Sequence, residues 1–355
     1  SAGPGDPNAP IVPGTNVRLS AFRFGVDPLP TTPAARAKFN GGEAGRIMDP
    51  DYRNPYTQQW NVGYAFQLTP GSAIEIDYVH VLSLRESKTI DINPTRNGVR
   101  GLTAAFLAAG LPALGRIDLE SPVGRSRYDG LNISYRRRMS NRFSVNTSYV
   151  LSRGIAYNGN AAAFRNRPTN LDNIFAKHDF GFVPNDERHR WVFSGVVDLP
   201  WRLQLAPIVQ LSSARPYNAT QGIDVFGFGS GAGAAHVILR QDDPNNLLAT
   251  KGMTAAALRA CIAAGNCFQA PFDLLRGDPF FQVDLRVSKE IKFGDKPSLK
   301  LIFQTFDLTN RANFGNQFVG NVQSANFRKP SGFITPAGVI VPRSFSAEIG
   351  ARFTF

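Results

Sequence analysis

Along residues 343–355 the odd positions carry Phe345, Ala347, Ile349, Ala351, Phe353 and Phe355. The even positions carry Ser344, Ser346, Glu348, Gly350, Arg352 and Thr354. A strict period of two marks a strand with one apolar and one polar face. Phe281, Val283, Leu285 and Val287 alternate in the same way with Gln282, Asp284, Arg286 and Ser288, and Phe143–Leu151 and Trp60–Leu68 repeat the pattern. Ile74, Ile76 and Tyr78 alternate with Glu75 and Asp77, and Leu131, Ile133 and Tyr135 with Asn132, Ser134 and Arg136, although Arg137 interrupts that oily face. The periodicity predicts nine strands, near 57–68, 72–84, 127–139, 142–152, 189–199, 203–213, 280–291, 298–308 and 343–355. A tenth is expected at 17–24. Between 298 and 308 the apolar positions change face, which predicts a bulge near Gln304.

The links between strands alternate in length. Short ones carry turn residues: Thr69-Pro70-Gly71, Ser140-Asn141, Pro200-Trp201 and Phe293–Pro297. Long ones occupy 85–126, 153–188, 214–279 and 309–342. Such sorting puts every tight turn at one end of the sheet and every long loop at the other, as in a transmembrane barrel with short periplasmic turns and long outer loops. Strands of about 12 residues at about 3.3 Å each, tilted near 45°, rise about 28 Å, close to a hydrocarbon layer. The fold expected is therefore all-β: an antiparallel up-and-down transmembrane β-barrel in a bacterial outer membrane, with the long loops extracellular. Tyr64, Tyr78, Tyr135, Tyr149, Trp60 and Trp191 are candidates for the interfacial aromatic belt.

Several segments resemble a known family: NPYTQQWNVGYAFQL (54–68), GRSRYDGLNISYRRRMSNRFSVNTSYVLSRGI (124–155), DERHRWVFSGVVDLPW (186–201), FFQVDLRVSKEIKFGDKPSLKLIFQTFDLTNRANFGN (280–316) and the final IGARFTF. Together, in this order, they resemble the C-terminal barrel half of Oar-like TonB-dependent outer-membrane proteins. The resemblance implies a 22-stranded barrel with an N-terminal plug, energised through the TonB complex and taking up a large ligand. It also implies that Phe353 and Phe355 form the terminal signal read by the barrel-assembly machinery. The nine or ten strands here fall short of that pattern, and neither a plug nor a TonB-contacting segment is recognisable. The chain is thus expected to be the C-terminal portion of a longer protein, with 1–56 a Gly/Pro-rich loop segment and 57–355 barrel wall. A free-standing ten-stranded barrel using 17–24 is the alternative.

Composition adds limits. The chain has 355 residues, 43% hydrophobic and 19% charged, with a net charge of +12. That is too apolar for a disordered chain. No apolar run is long enough for a membrane helix. The positive charge comes without a basic helix or a clustered stripe, so nucleic acid is not the expected partner; membrane lipid and anionic lipopolysaccharide are. The polar strand positions Glu75, Asp77, Arg136, Arg138, Asp284, Arg286, Glu290, Glu348 and Arg352 are expected to face the lumen, paired with one another or with water. Cys261 and Cys267 share one outer loop, and an oxidising compartment predicts a disulfide. His80, His178, His189 and His236 show no ligand spacing and are expected at the surface or at the interface. ERHR (187–190) reads as a solvated rim, and the Gly-, Asn- and Ala-rich loops as low in specific chemistry. No catalytic, cofactor or metal motif is present. The remaining functional alternative is a surface adhesin or assembly protein acting through its loops.

Overall fold

The computed structural model describes residues 45–355, except 97–98, 110–114, 158–172, 174, 227–235, 295–296 and 334–344. The strand expected at 17–24 lies outside the described residues. Nine long strands form one antiparallel meander: β1 (Tyr56–Thr69), β2 (Ser72–Asp91), β3 (Ile117–Ser140), β4 (Phe143–Tyr157), β5 (His189–Leu199), β6 (Leu203–Ser212), β7 (Phe280–Lys292), β8 (Ser298–Phe306) and β9 (Ser346–Thr354). Each strand pairs with its neighbours in chain order. Among the described residues β1 and β9 do not pair, so the sheet is open.

The tight turns follow from local chemistry. Between β3 and β4, Asn141 and Arg142 take φ of 51° and 72°, the left-handed pair of a type I′ hairpin whose twist matches the strands. In β6, the pairing with β5 is missing at Ala206 and Pro207 and resumes at Ile208↔Ser194, because proline has no N–H to donate. The strand survives because β7 pairs through Pro207↔Leu285 on its other side.

Three strands outgrow the expected limits by several residues, and one of them, β4, runs on to Tyr157. β2 runs to Asp91 and β3 starts at Ile117, pairing from Lys88↔Ser121 to Asp91↔Asp118 after a bulge at Leu84–Glu86. This arm lacks alternation because both of its sides carry polar groups. Thr89 and Ser87 donate to the Glu120 carboxylate at 2.9 and 2.8 Å. Gly45–Met48 lies parallel against Ile117–Glu120 and closes its free edge. The bulge expected near Gln304 does not form. Register is unbroken through Gln304↔Glu348. The irregularity comes at Asp307, where φ is 50° and Leu308 N–H reaches the Val283 carbonyl at 2.7 Å. The register holds through Phe306↔Ser346, so Phe306 stands on the polar face without a bulge, and the left-handed residue comes after it.

The long loops at 214–279 and 309–333 fold together as a crown. Pro216–Tyr217 pairs with Leu275–Arg276, and Ile238–Arg240 with Cys267–Gln269. Helix α1 (Gly101–Ala108) belongs to the loop after β2. Helix α2 (Ala255–Ala263) belongs to the crown and starts at Thr254, whose hydroxyl accepts from Ala257 N–H. Such a cap satisfies one of the orphan donors of the first turn. Val225, Val237, Ile238, Leu258 and Val322 are fully buried, and all lie in the crown. Tyr217, Ala219, Val237, Leu239, Ala270, Leu275 and Val322 form one core; Val225, Ile238, Leu258 and Cys267 form another. Gly277 shows how closely the crown is wound: a Cβ there would stand 1.7 Å from the Gly315 carbonyl oxygen.

Candidate functional site

Registered partners in a sheet share a face, so the register sorts the side chains. Tyr64, Ile76, Ile133, Tyr149, Trp191, Leu211 and Phe281 form one continuous row across seven strands. Val287, Phe303 and Ile349 continue this face to the last strand. Its side chains are open: Ile349 is 86% exposed, Tyr64 70% and Val62 66%. An uncovered apolar surface of this extent marks a lipid or partner contact, not the surface of a soluble monomer.

The opposite face is polar and hollow. Glu75, Asp77 and Arg136 share it through Glu75↔Ser134, Asp77↔Asn132 and Ala73↔Arg136, and Arg138 follows Arg136 by two. Arg286↔Gln304↔Glu348 and Glu290↔Lys300↔Arg352 place the remaining residues there, with Asp284 two before Arg286. Gly63 makes room for Asp77, whose carboxylate would clash with a Cβ at that position. A hollow of about 590 Å³ is lined by Arg136, Arg138, Asn146, Ser194, Asp284 and Arg286 among others. A second, of about 640 Å³ near the short turns, is lined by Asp198, Trp201, Gln204, Glu290 and Lys300.

The expected pairing among these nine residues is not what satisfies them. Among the described residues none of the nine makes an ion pair with another. Arg286 donates to the Gln304 amide oxygen at 2.8 and 2.6 Å. Asp284 accepts from Gln282 at 2.9 Å and from Asp307 N–H at 2.9 Å. Glu75, Asp77, Arg136, Arg138, Glu290, Glu348 and Arg352 are left to solvent. Alternation alone places them on one face, but their signs do not align at opposite register positions.

The apolar band has charged borders. On β4 the outward positions run Phe143, Val145, Thr147, Tyr149 and Leu151, and then Arg153. About ten steps of about 3.3 Å, tilted near 45°, make a height of about 23 Å, which fits the apolar belt of an outer-membrane barrel. At the short-turn border the interrupting Arg137 lays its guanidinium over the Phe143 ring, 4.0 Å from the centroid, so its stem covers oil while its charge reaches water. At the long-loop border, Asp129 accepts from Tyr78 Oη and contacts His80 Nδ1, both at 2.8 Å, and pairs with Arg127 Nε at 2.8 Å. Trp60 stacks on His80, and Trp191 Nε1 donates to Thr147 at 2.8 Å. Polar tips on outward aromatics suit a membrane interface.

Above this border stands the crown. Cys261 and Cys267 are joined, with Cα atoms 5.2 Å apart, behind α2. ERHR is not a solvated rim. Glu187 is buried and receives Arg190 and Arg215, each at 2.7 Å. Asp186 is buried and receives Arg276 at 3.2 Å. These contacts tie the end of β4 and the start of β5 to the crown. His236 is not at the surface but 1% exposed. Its Nδ1 contacts the Ala270 carbonyl at 2.8 Å, and its Nε2 stands 3.9 Å from Asp179. Burial pushes its pKa down to about 4, and burial also lowers that of His178 beside it. Asp273 is buried too, and desolvation raises its carboxyl to about 7 against the opposing pull of Arg276. The crown core leaves no signature in the sequence because its members are short apolar runs far apart, Ile223–Phe226, Val237–Leu239 and Val322, set in Gly- and Asn-rich stretches. Among the described residues no cluster of metal-ligating side chains forms.

Against known proteins, the sequence matches the family described as an outer membrane beta barrel domain over residues 6–344. Among solved structures it is similar to the outer membrane transporter YddB from Escherichia coli, with 10% identity and a TM-score of 0.46 over 88% of this chain and 34% of that one. It is similar to the ferric-catecholate import receptor Fiu from E. coli, with 9% identity and a TM-score of 0.44 over 86% and 29%. A third is the pyoverdine receptor FpvA from Pseudomonas aeruginosa, with 8% identity and a TM-score of 0.42 over 85% and 30%. The chain thus spans about a third of the length of the solved structures it matches. No curated protein matches it.

Proposed function

The chain belongs to the family of outer membrane beta barrel domains, and on that footing we propose that it forms the C-terminal wall of a wide, plug-bearing, TonB-dependent barrel of the Oar-like kind that takes up a large ligand. The observation that carries this reading is the open nine-stranded meander with a hollow polar face. Hydrocarbon tolerates no unpaired strand edge, because no water is there to bond the free N–H and C=O groups. Among the described residues the outer edges of β1 and β9 are unpaired and need further strands, and a wall still open after these nine fits a barrel wider than one filled by its own side chains. The nine long strands within 57–355 are this wall, and the nine polar-face residues line its lumen. Phe353 and Phe355 are the residues the assembly machinery would read. Both are exposed, Phe355 at 95%, and their rings stack 6.2 Å apart at the end of β9.

One observation supports a second reading, a surface adhesin: the crown is a folded, disulfide-closed body and so offers a rigid surface for a partner. Planar-bilayer conductance of the full-length protein separates the two. Discrete conductance steps once the plug is displaced by urea support uptake through a lumen. A barrel that shows heat-modifiable gel migration yet stays electrically silent throughout supports adhesion.

A further inference from the structure

We propose that the hollow of about 590 Å³ on the polar face binds a linear dicarboxylate with an apolar middle, one carboxylate on Arg136 and Arg138 and the other on Arg286. This rests on the lumen reading above, in which the polar face meets solutes and not lipid. Register shows how the hollow forms. One row runs Arg136↔Asn146↔Ser194↔Ile208↔Asp284 across five strands. The next row toward the short turns holds Ser144↔Val196 and Ala206↔Arg286, with Arg138 beside it on β3. In both rows β4, β5 and β6 carry nothing longer than Asn or Ile, while the arginines stand at the ends, on β3 and β7. Short residues between long ones leave a trough, and its volume suits a small molecule.

Both ends of the trough are cationic and unneutralised. Among the described residues the Arg136 and Arg138 side chains meet no acid. Arg286 gives Nε and Nη2 to the Gln304 amide oxygen, a neutral partner that orients the guanidinium and leaves its Nη1 donors and its charge. The acid in the lining, Asp284, is committed to Gln282 and to Asp307 N–H. Forked guanidinium donors match carboxylate oxygens. The floor between the ends is apolar, made by Val196, Ala206 and Ile208, and Phe306 adds a ring on the Arg286 side. A methylene chain laid over this floor leaves water, a gain that a short anion forgoes. The ends are four strand steps apart, about 19 Å between backbones at about 4.8 Å per step. The arginine side chains take up part of that span, and the rest exceeds succinate and suits a longer chain such as suberate. The second hollow mixes Asp198 and Glu290 with Lys300 and so lacks these one-signed ends.

The test uses the full-length protein in a nonionic detergent and equilibrium dialysis against labelled suberate, with succinate and octanediamine as competitors. The expected result is saturable suberate binding, competition by succinate weaker by about tenfold or more, and none by the dication. R136Q/R138Q and R286Q should each weaken suberate binding by about tenfold or more. A206F, which fills the floor and removes no charge, should do the same. K289Q, a cation lost from the outward face of β7, should bind suberate as the parent does. Absence of suberate binding in the parent, equal competition by succinate, or unchanged binding in both Gln variants overturns the proposal. So does an equal loss in K289Q, which would make the attraction one of net charge. Heat-modifiable migration is run on every sample. Its absence in the parent refutes the membrane reading itself, whereas its presence without suberate binding refutes this proposal alone. Should the Gln variants fail to fold, the parent's ranking of the three probes still decides.

Discussion

Two buried groups in the crown make opposite predictions about its stability against pH. His236 is held at about 4 from an ordinary 6.5, so folding disfavours its charged form. Its contribution is complete above pH 6.5 and is lost as pH falls through 4. Each tenfold change in proton affinity is worth about 1.4 kcal/mol, so the loss is at most about 3 kcal/mol. Asp273 is held at about 7 from an ordinary 3.8, so folding disfavours its carboxylate. No penalty exists below pH 3.8, and it grows as pH rises to 7, to at most about 4 kcal/mol. The two slopes oppose each other between pH 4 and 6.5, and His178, whose pKa burial also lowers, adds to the slope of His236. The substitutions uncover each slope. Asp273→Asn should leave a crown that gains about 3 kcal/mol as pH rises from 4 to 6.5. His236→Gln should leave one that loses a similar amount over the same range. Amide hydrogen exchange at Val237 and Ala270, whose N–H groups bond Ala219 and Val237 carbonyls inside the core, reads the opening free energy directly. Two single variants with flat profiles, or slopes of the same sign, would refute the assignment of these groups.

Further outcomes follow from other contacts. Gly277→Ala drives a methyl into the Gly315 carbonyl and should expose the crown to protease while heat-modifiable migration of the barrel stays intact. Cys261→Ser opens a ring of sequence separation 6; by chain entropy it should cost about 2 kcal/mol of crown stability, seen as faster exchange at Leu258. Ile133→Arg, on the outward face of β3, should destabilise the reconstituted barrel by about 2–4 kcal/mol, whereas Asn132→Arg one step away should cost far less; urea titration in vesicles compares them.

The sheet is legible in the sequence because membrane strands obey two solvents at once. β5 runs over 189–199 as its alternation predicts, and β1, β6 and β7 fall within a residue of expectation. Legibility ends where lipid ends. The arm of β2 and β3 beyond Leu84 pairs polar side chains with one another except at Ile90↔Leu119, so no period survives to be read. The alternation points to a bulge at Gln304 because Phe306 breaks it, yet Phe306 keeps its register with Ser346 and stands as an apolar residue on the polar face. The nine polar positions share a face by parity alone, but who bonds whom depends on register between strands, and that brings Gln304 rather than an acid to Arg286. The crown is hidden for a different reason. Its cores draw on residues as distant as Tyr217 and Val322, and long-range burial of this kind leaves no local pattern. The same long-range packing buries His236, which its own neighbours in sequence would leave at the surface.

The central claim is that hydrocarbon touches one face of the meander and water the other. Nitroxide scanning along β4 from residue 144 to 152 in vesicles tests it, with collision rates for oxygen and for a water-soluble nickel chelate read at each position. Oxygen accessibility should peak at 145, 147, 149 and 151, with the nickel reagent high at the positions between. Equal accessibility along the strand, or oxygen maxima at 146, 148 and 150, would contradict it.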